Sequence, residues 1–251
     1  MVWYNIKMKF LKNNSFKKIP EVVIFDLDNT LYDYNLANNQ AMLEIEKQVC
    51  QDFMINKKKF YACFNSSRDV VKKNLGNTAS SHSRLIYFQK MIEMLGFKTQ
   101  PLMTLDLEQK YWRIFLMNMK LFPHVKELLE YLKILGSKLL LITDLTAQIQ
   151  FRKVVYLGLD KFFDFIITSE ESGADKFLDN SFKLAIEKVK MDKKTVVWSV
   201  GDCTQDIEGS KGNFHCITFQ KINFRKEVIK KTDAYFFNYK SFLNFVKKSY
   251  K

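Results

Sequence analysis

Glycine and proline are scarce in this sequence, with eight glycines and three prolines among 251 residues. Because these two residues mark turns and irregular linkers, their scarcity predicts a chain made mostly of regular helices and strands. The composition is 47% hydrophobic and 15% aromatic, which excludes a disordered chain and supports a packed core. At this length we expect one large domain, or a core that carries a sizeable insertion.

Cysteine is also scarce, and no two of the four cysteines are spaced as a Cys-x-x-Cys pair. Cys50, Cys63, Cys203 and Cys216 therefore do not predict a disulfide framework or a zinc site. The pattern fits a reduced, cytoplasmic setting, which is the location that we expect.

Long apolar runs are missing as well. None approaches the roughly 18 residues needed to span a bilayer, so no transmembrane segment is expected. The first twenty residues, MVWYNIKMKFLKNNSFKKIP, lack the continuous apolar stretch and the small-residue cleavage site of a signal peptide. We expect residues 1–19 to form an arm or a leading strand.

Acidic residues are outnumbered, 27 against 40 lysines and arginines, which gives a formal charge of +13. Such an excess favours anionic partners through the field of the whole protein. The lysines are scattered in short runs such as Lys57-Lys58-Lys59, a pattern typical of a solvated surface. The sequence has no RNP, zinc-finger or basic-zipper pattern, so we expect no nucleic-acid partner.

Six short runs of β-prone residues provide the candidate strands. Helical stretches separate the later runs, including residues 124–136, which end at Gly136, and residues 180–190. Continuous apolar strands that alternate with helices indicate an α/β fold with a doubly wound parallel sheet, covered on both faces. The runs are VVIF (22–25), KLLLIT (138–143), FDFIITS (163–169), TVVWSV (195–200), HCITF (215–219) and DAYFF (233–237).

A different pattern fills residues 35–119, where no series of strands is visible. Helix-like segments interrupted by Gly76 and Gly96 predict an α-helical bundle inserted after the first strand. The predicted α/β core therefore comprises residues 20–34 and 120–251, with the inserted helical domain at 35–119. The helical segments span residues 35–53, 56–76, 80–96 and 104–119.

Polar and acidic residues follow three of the candidate strands: Asp26 and Asp28, Thr143 and Asp144, and Asp202 and Asp206. Functional groups of a doubly wound sheet gather at the carboxyl ends of its strands. Because unpaired buried charges are costly, acids that converge from two strands need compensation, which a hard cation such as Mg²⁺ could provide. Lys176, in the loop 171–179, could add a further positive charge.

Each of these residues also has a purely structural explanation when it is taken alone. An Asp-x-Asp sequence after a strand can be a turn with a side-chain cap, and Thr143-Asp144 can be the N-cap of the following helix. Lys176 can be a solvated surface lysine, and Asp202 and Asp206 can simply complement a helix dipole. The occurrence of all of them in one chain favours a shared functional site.

Four segments in this order resemble the motifs of the haloacid dehalogenase-like (HAD) phosphohydrolases. They are Asp26-Leu27-Asp28-Asn29-Thr30, Thr143, Lys176 and Gly201-Asp202-Cys203-Thr204-Gln205-Asp206. The resemblance extends over residues 20–240 and implies a Rossmann-like HAD core. It also implies that the helical insertion is a cap domain, because it lies between the first and second motifs.

The resemblance implies a role for each matching position. Asp26 would attack phosphorus to form an aspartyl-phosphate, and Asp28 would protonate the leaving alcohol and later deprotonate a water molecule. Thr143 and the backbone N–H of Asp144 would bind phosphoryl oxygens, while Lys176 would neutralise negative charge.

Mg²⁺ is the cofactor that the resemblance implies. The Asp26 side chain, the Asp28 backbone carbonyl and Asp202 would hold the ion, and Asp206 would support them. Dehalogenases and phosphonate-cleaving members of the family lack an acid at the position of Asp28, so its presence indicates phosphate-ester chemistry. One departure is the third motif, which reads Lys176-Phe177-Leu178-Asp179 where relatives with this cap often have Lys-Pro-Asp-Pro.

The inserted domain offers candidate substrate-selecting residues in GNTASSHSRLIYFQ, residues 76–89. Ser81 and His82 could bind a polar substrate, and the Arg84 guanidinium suits a carboxylate or a second phosphate. The alternative is a capped helix whose apolar side chains pack inside the bundle.

Three functions are compatible with these residues. We expect a Mg²⁺-dependent phosphatase that hydrolyses a small phosphorylated metabolite, either a sugar phosphate or a nucleoside monophosphate. A phosphomutase would form the same aspartyl-phosphate and return the phosphoryl group to a sugar. A non-catalytic, anion-binding or regulatory protein is the third alternative, and it has no need of the acid at Asp28.

Overall fold

The computed structural model describes residues 8–12, 16–223 and 227–250, and a seven-stranded sheet lies within this part of the chain. The strands are β1 (Lys9–Phe10), β2 (Val22–Phe25), β3 (Lys138–Thr143), β4 (Phe165–Thr168), β5 (Val197–Gly201), β6 (Cys216–Lys221) and β7 (Ala234–Phe236). Their order is β1-β7-β6-β5-β2-β3-β4, and each pair of neighbours is parallel except β1 and β7. The predicted α/β fold with a doubly wound, mostly parallel sheet is confirmed.

The chain divides into two compact units. One consists of the described residues up to Asp33 together with those from Lys120 onward, and the other is Tyr34–Met119. Among the described residues, no helix is both long and apolar enough to cross a membrane. The α-helices are α1 (Tyr34–Asp52), α2 (Lys57–Leu75), α3 (Arg84–Met94), α4 (Pro101–Met117), α5 (Val125–Ile134), α6 (Ala147–Tyr156), α7 (Ser169–Ser172), α8 (Asn180–Val189), α9 (Thr204–Asn213) and α10 (Tyr239–Ser249).

Strand β2 lies inside the sheet, fifth in the strand order, and all four of its residues are buried. Its neighbours are β3 and β5, with Phe25 paired to Leu141 on one side and to Val200 on the other. From β2 the chain adds β3 and β4 in one direction and β5, β6 and β7 in the other. Such a reversal of strand order creates a crevice at the carboxyl ends of the strands.

Apolar side chains pack against both faces of the sheet. Ile24 and Ile142 belong to a buried cluster on one face that includes Phe182 of α8. The other face carries aromatic rings, with the Phe219 centroid 4.8 Å from those of Trp198 and Phe242, the latter on α10. Burial on both faces explains why the strands read as continuous apolar runs.

Part of the predicted arm over residues 1–19 lies outside the described residues. The described part contains β1, in which Lys9 pairs with Tyr235 and Phe10 with Ala234 at the edge of the sheet. Leu11 then donates its backbone N–H to the Asp233 carbonyl at 2.8 Å. A short strand therefore precedes β2 along the chain and runs antiparallel to β7.

The unit Tyr34–Met119 is helical and has its own aromatic core. The Tyr111 ring lies 6.0 Å from Phe88 and 4.9 Å from Trp112, measured between centroids. Helix α4 begins at Pro101, three residues before the predicted segment. Proline fits the first turn of a helix because its missing N–H would have no partner there.

Candidate active site

Asp26 follows the last residue of β2 and is only 6% exposed. Its two carboxylate oxygens have different partners: Lys176 Nζ lies 2.6 Å from Oδ1, and Thr30 Oγ1 donates to Oδ2 at 2.7 Å. Thr30 reaches back because the chain turns sharply after β2, with Asn29 at φ 62°. Asparagine adopts this left-handed backbone more readily than most residues do. The turn thus fixes the orientation of the Asp26 carboxylate.

Lys176 is the centre of a buried charge cluster that also contains Asp26 and Asp206. Its Nζ lies 2.7 Å from Asp206 Oδ1, and its side chain is 5% exposed. A short 3₁₀ turn, Lys176–Leu178, holds the residue, and its backbone N–H donates to Asp144 Oδ1 at 2.9 Å. The lysine therefore reaches Asp26 even though the motif lacks the two prolines that relatives with this cap often have.

Asp206 lies on the first turn of α9, where it closes the helix onto the end of β5. Its Oδ2 accepts the backbone N–H groups of Asp202 and Cys203, both at 3.1 Å. The approach is possible because residue 201 is glycine: an added Cβ there would lie 2.2 Å from the Asp206 Cβ. Both oxygens of Asp206 thus have protein partners. Asp202 follows the last residue of β5 and is 5% exposed.

Carboxylates dominate the charges of this cluster among the described residues. Burial raises the pKa of Asp26 well above its usual value, and Asp206 and Asp202 add to the shift although Lys176 opposes it. Burial acts on Asp206 in the same direction, but Lys176 and Cys203 outweigh it and hold the Asp206 pKa below its usual value. The Lys176 pKa is lowered by burial but raised well above normal by Asp206, Asp26 and Asp144. The carboxylates of Asp26, Asp144 and Asp206 thus all act on the single ammonium group of Lys176.

A hard divalent cation fits this donor set. Ligand atoms of Asp202, Cys203 and Asp206 lie within 4.8 Å of one another. Mg²⁺ prefers oxygen ligands, and burial raises the pKa of the Cys203 thiol, so the thiol stays neutral and is a poor ligand. Both oxygens of Asp206 already accept hydrogen bonds, one from Lys176 and the other from backbone N–H groups. Asp206 is therefore better placed to support the site than to bind the ion itself, whereas Asp26 and Asp202 lie at the ends of two neighbouring strands.

Asp28 has two partners that the sequence analysis did not identify. Lys153 Nζ of α6 lies 2.9 Å from Asp28 Oδ1 and 2.8 Å from Oδ2, and Tyr32 Oη donates to Oδ1 at 2.5 Å. The Lys153 side chain is fully buried, whereas that of Asp28 is 25% exposed. These contacts hold the Asp28 carboxylate in one orientation, two residues along the chain from Asp26.

A sequence signal for Lys153 exists. Ile149, Lys153 and Leu157 follow one another at four-residue intervals, and all three are buried. A lysine in the apolar stripe of a helix needs an acidic partner, because a buried charge is otherwise costly. Tyr32 carries no such signal, because its hydroxyl meets Asp28 only through the turn after β2.

Thr143 and Asp144 lie at the end of β3, next to β2 in the sheet. Gln150 Nε2 of α6 donates to the Thr143 hydroxyl at 2.7 Å, and Asp144 Oδ1 accepts from Ser169 Oγ at 3.0 Å. Neither residue caps α6, whose N-cap is Thr146, so the capping explanation for this pair is wrong. Thr143 and Asp144 are instead fixed at the carboxyl edge of the sheet.

The three candidate residues of the helical unit differ in their surroundings. Ser81 lies in a 3₁₀ turn, Ala79–His82, and its carbonyl accepts the Tyr87 hydroxyl at 2.5 Å. His82 and Arg84 line a cavity of about 300 Å³ within this unit, and Ser81 does not. Ser83 caps α3 through a 3.3 Å bond from the Ile86 N–H, so the capped-helix interpretation also holds.

Comparison with known proteins was made for sequence and for structure. Residues 23–214 match the family described as haloacid dehalogenase-like hydrolase. The chain is 36% identical over 191 residues to ribulose-1,5-bisphosphate 5-phosphatase of Halopiger xanaduensis, covering 75% of this chain and 79% of that protein. It is 28% identical over 190 residues to glyceraldehyde 3-phosphate phosphatase of Methanocaldococcus jannaschii, again covering 75% and 79%.

A solved structure with the same fold is the HAD-hydrolase YfnB of Bacillus subtilis, bound to magnesium. The superposition has a TM-score of 0.67 at 19% identity and covers 91% of this chain and 99% of that one. The matched residues include all four motif segments, and the family predicted from the sequence is confirmed. The chain belongs to the haloacid dehalogenase-like hydrolases.

Proposed function

We propose that the protein is a Mg²⁺-dependent phosphatase that hydrolyses a sugar phosphate through an aspartyl-phosphate at Asp26. The observation that carries the proposal is the buried cluster of Asp26, Lys176 and Asp206 at the carboxyl edge of the sheet, with Asp28 two residues from Asp26. The two relatives named above act on phosphorylated sugars, which favours this substrate class over nucleoside monophosphates.

In this mechanism Asp26 attacks phosphorus as a carboxylate. Because burial alone pushes its pKa upward, nearby positive charge is needed to keep it ionised. Lys176 supplies part of that charge, with its Nζ 2.6 Å from Asp26 Oδ1. It would also stabilise the negative charge that develops on the phosphoryl group. Thr30, bound to the other oxygen, keeps the carboxylate in position for attack.

Asp28 is the proton carrier of the proposal. It donates a proton to the ester oxygen as the P–O bond breaks, and in the second step it takes a proton from the water that attacks the aspartyl-phosphate. Lys153 and Tyr32 hold its carboxyl group in place. The second step releases inorganic phosphate and restores the Asp26 carboxylate.

Mg²⁺ would be held by Asp26, Asp202 and the Asp28 backbone carbonyl. Asp206 would orient the backbone of Asp202 by accepting its N–H. The bound ion would offset the excess of carboxylates and polarise the phosphoryl group. Thr143 and the Asp144 N–H, at the neighbouring strand end, would bind phosphoryl oxygens.

A substrate screen tests this proposal. The purified chain is incubated with sugar phosphates and nucleoside monophosphates, with Mg²⁺ or with EDTA, and released phosphate and sugar products are measured. We expect phosphate release from sugar phosphates that EDTA abolishes, no release by Asp26→Asn, and unchanged release by Asp160→Asn, an exposed aspartate outside the cluster. Transfer of the phosphoryl group to another position of the sugar, without release, would instead identify a phosphomutase.

A further inference from the structure

The helical unit contains a cavity of about 300 Å³ whose wall is strongly basic. Arg68 and Lys72 of α2 line it, as do His82 and Arg84 at the start of α3. No aspartate or glutamate is among the described residues that line it. A concave site with several cations and no acidic residue attracts anions.

Arg84 is the most informative residue of this wall. Its guanidinium carbon lies 5.2 Å from the centroid of the Tyr111 ring and 5.3 Å from that of Tyr87. It donates to the Tyr34 hydroxyl and, at 3.2 Å, to the His82 carbonyl. All of these partners are neutral.

One donor of Arg84 is unsatisfied within the described part of the chain. Its Nε atom is buried and has no hydrogen-bond acceptor among the described residues. An arginine always carries its charge, and burying a cation without an anion is costly. The aromatic rings offset part of this cost through cation–π contacts, but they do not accept the Nε–H bond. An oxyanion in the cavity would balance the charge of the guanidinium.

We infer that this cavity, which residues of the helical unit line, is a binding site for a phosphate group. Arginine presents planar donors that match an oxyanion, and Arg68 and Lys72, one helical turn apart, add charge suited to a dianion. The amide nitrogen of Asn38, also in the wall, can donate a further hydrogen bond. The group belongs either to a substrate with a second phosphate or to a separate phosphorylated molecule.

The test observes Arg84 directly. The chain is labelled with ¹⁵N-arginine, and the Nε–H resonance of Arg84 is followed while inorganic phosphate is added. This resonance is assigned by its loss in Arg84→Lys. We expect a saturable change in the chemical shift of this resonance. The change should persist in Asp26→Asn, so that phosphate binding in the cavity is measured independently of turnover. Arg68→Gln should weaken phosphate binding at this resonance about fivefold to tenfold, because one charge-assisted contact is removed.

Lys73→Gln is the matched control, since Lys73 is exposed on the same helix and outside the cavity wall. It should leave phosphate binding unchanged. The inference is overturned if the Arg84 resonance does not move at saturating phosphate, or if it moves equally in the wild type and in Arg68→Gln. Arg68 is exposed, so its replacement should not impair folding.

A second measurement identifies the source of the phosphate group and rests on the proposed phosphatase activity. Hydrolysis of fructose 1,6-bisphosphate and fructose 6-phosphate is compared in the wild type and in Arg68→Gln. A rise in KM confined to the bisphosphate identifies the substrate's own second phosphate as the occupant. Unchanged KM values for both, with a lost response of the rate to added inorganic phosphate, identify a separate phosphorylated molecule.

Discussion

Replacing Lys176 by methionine would remove the ammonium between Asp26 and Asp206 while nearly keeping the volume of the side chain. Lys176, Asp26 and Asp206 are 5%, 6% and 3% exposed, so water cannot readily take the place of the lost charge. Removing one partner of a buried ion pair destabilises a protein by about 3–5 kcal/mol. We expect a loss near the lower end, because Asp26 can bind a proton instead.

The pH dependence of this loss provides the sharper test. A carboxyl whose pKa is raised in the folded state binds more protons than it does in the unfolded chain, so its contribution to stability falls as pH rises. Burial and the neighbouring carboxylates already raise the pKa of Asp26, and removal of Lys176 takes away the group that opposes them. The deficit of Lys176→Met should therefore be larger at about pH 8 than at about pH 5.

Urea unfolding in EDTA, at both pH values, measures this deficit, with Lys183→Met as the matched control. Lys183 is exposed on α8, and its replacement should change the free energy of unfolding by less than about 0.5 kcal/mol. Turnover of Lys176→Met should fall about 100-fold or more. A deficit no larger than that of the control, or one independent of pH, would refute this account of the cluster.

Three further substitutions test other contacts. Lys153→Met should lower kcat about 100-fold with little change in KM, because Asp28 loses the ammonium 2.8 Å away, and Lys153→Arg should recover part of the rate. Gly201→Ala should lower the free energy of unfolding by about 1–3 kcal/mol, because its Cβ would lie 2.2 Å from Asp206. Asp233→Asn should destabilise the protein at neutral pH by about 1.5–3 kcal/mol, in urea unfolding, and progressively less as the pH falls below about 4.

The sign of the last effect follows from the surroundings of Asp233. Burial raises its pKa, but hydrogen bonds from Lys211 and Thr218 outweigh burial and hold the pKa below its usual value. Its stabilisation is therefore present above the unfolded pKa and is lost as pH falls through the folded pKa. A stability difference between the wild type and Asp233→Asn that is constant down to about pH 3 would contradict this assignment.

Each remaining variant has its own reference. Gly212→Ala lies on the same helix as Asp206, where nothing is within 4 Å of an added Cβ, and it should stabilise by about 0.5–1 kcal/mol. A Gly201→Ala variant as stable as Gly212→Ala would show that Asp206 does not need the close approach. Lys161→Met, an exposed lysine in the same unit, is the reference for Lys153→Met. Equal rates for Lys153→Met and Lys161→Met would remove Lys153 from the account.

The fold was predictable from the sequence because the strands are buried on both faces. VVIF and KLLLIT coincide with β2 and β3, since a parallel sheet covered by helices has no polar face to interrupt the apolar run. Strand β1 is only two residues long and exposed, so it leaves no such pattern. Its pairing with β7 depends on hydrogen bonds to residues more than 200 positions away, which local sequence does not encode.

The candidate site was predictable to the extent that its residues follow strands. Asp26 and Asp202 follow neighbouring strands. The loop 171–179 suggested Lys176, and the resemblance to known motifs distinguished it from the other lysines. Lys153 and Tyr32 were missed because they act through contacts made by α6 and by a turn, not through a motif. Their positions depend on tertiary packing.

The central claim is that Asp26 carries the phosphoryl group, and trapping of that intermediate tests it most directly. The enzyme is mixed with Mg²⁺ and the best substrate of the screen, quenched in acid, treated with borohydride and analysed by peptide mass spectrometry. Borohydride reduces an aspartyl-phosphate to homoserine, and we predict this product at position 26 alone. Efficient turnover with no modified residue, or with the modification at Asp28 or Asp202, would contradict the account.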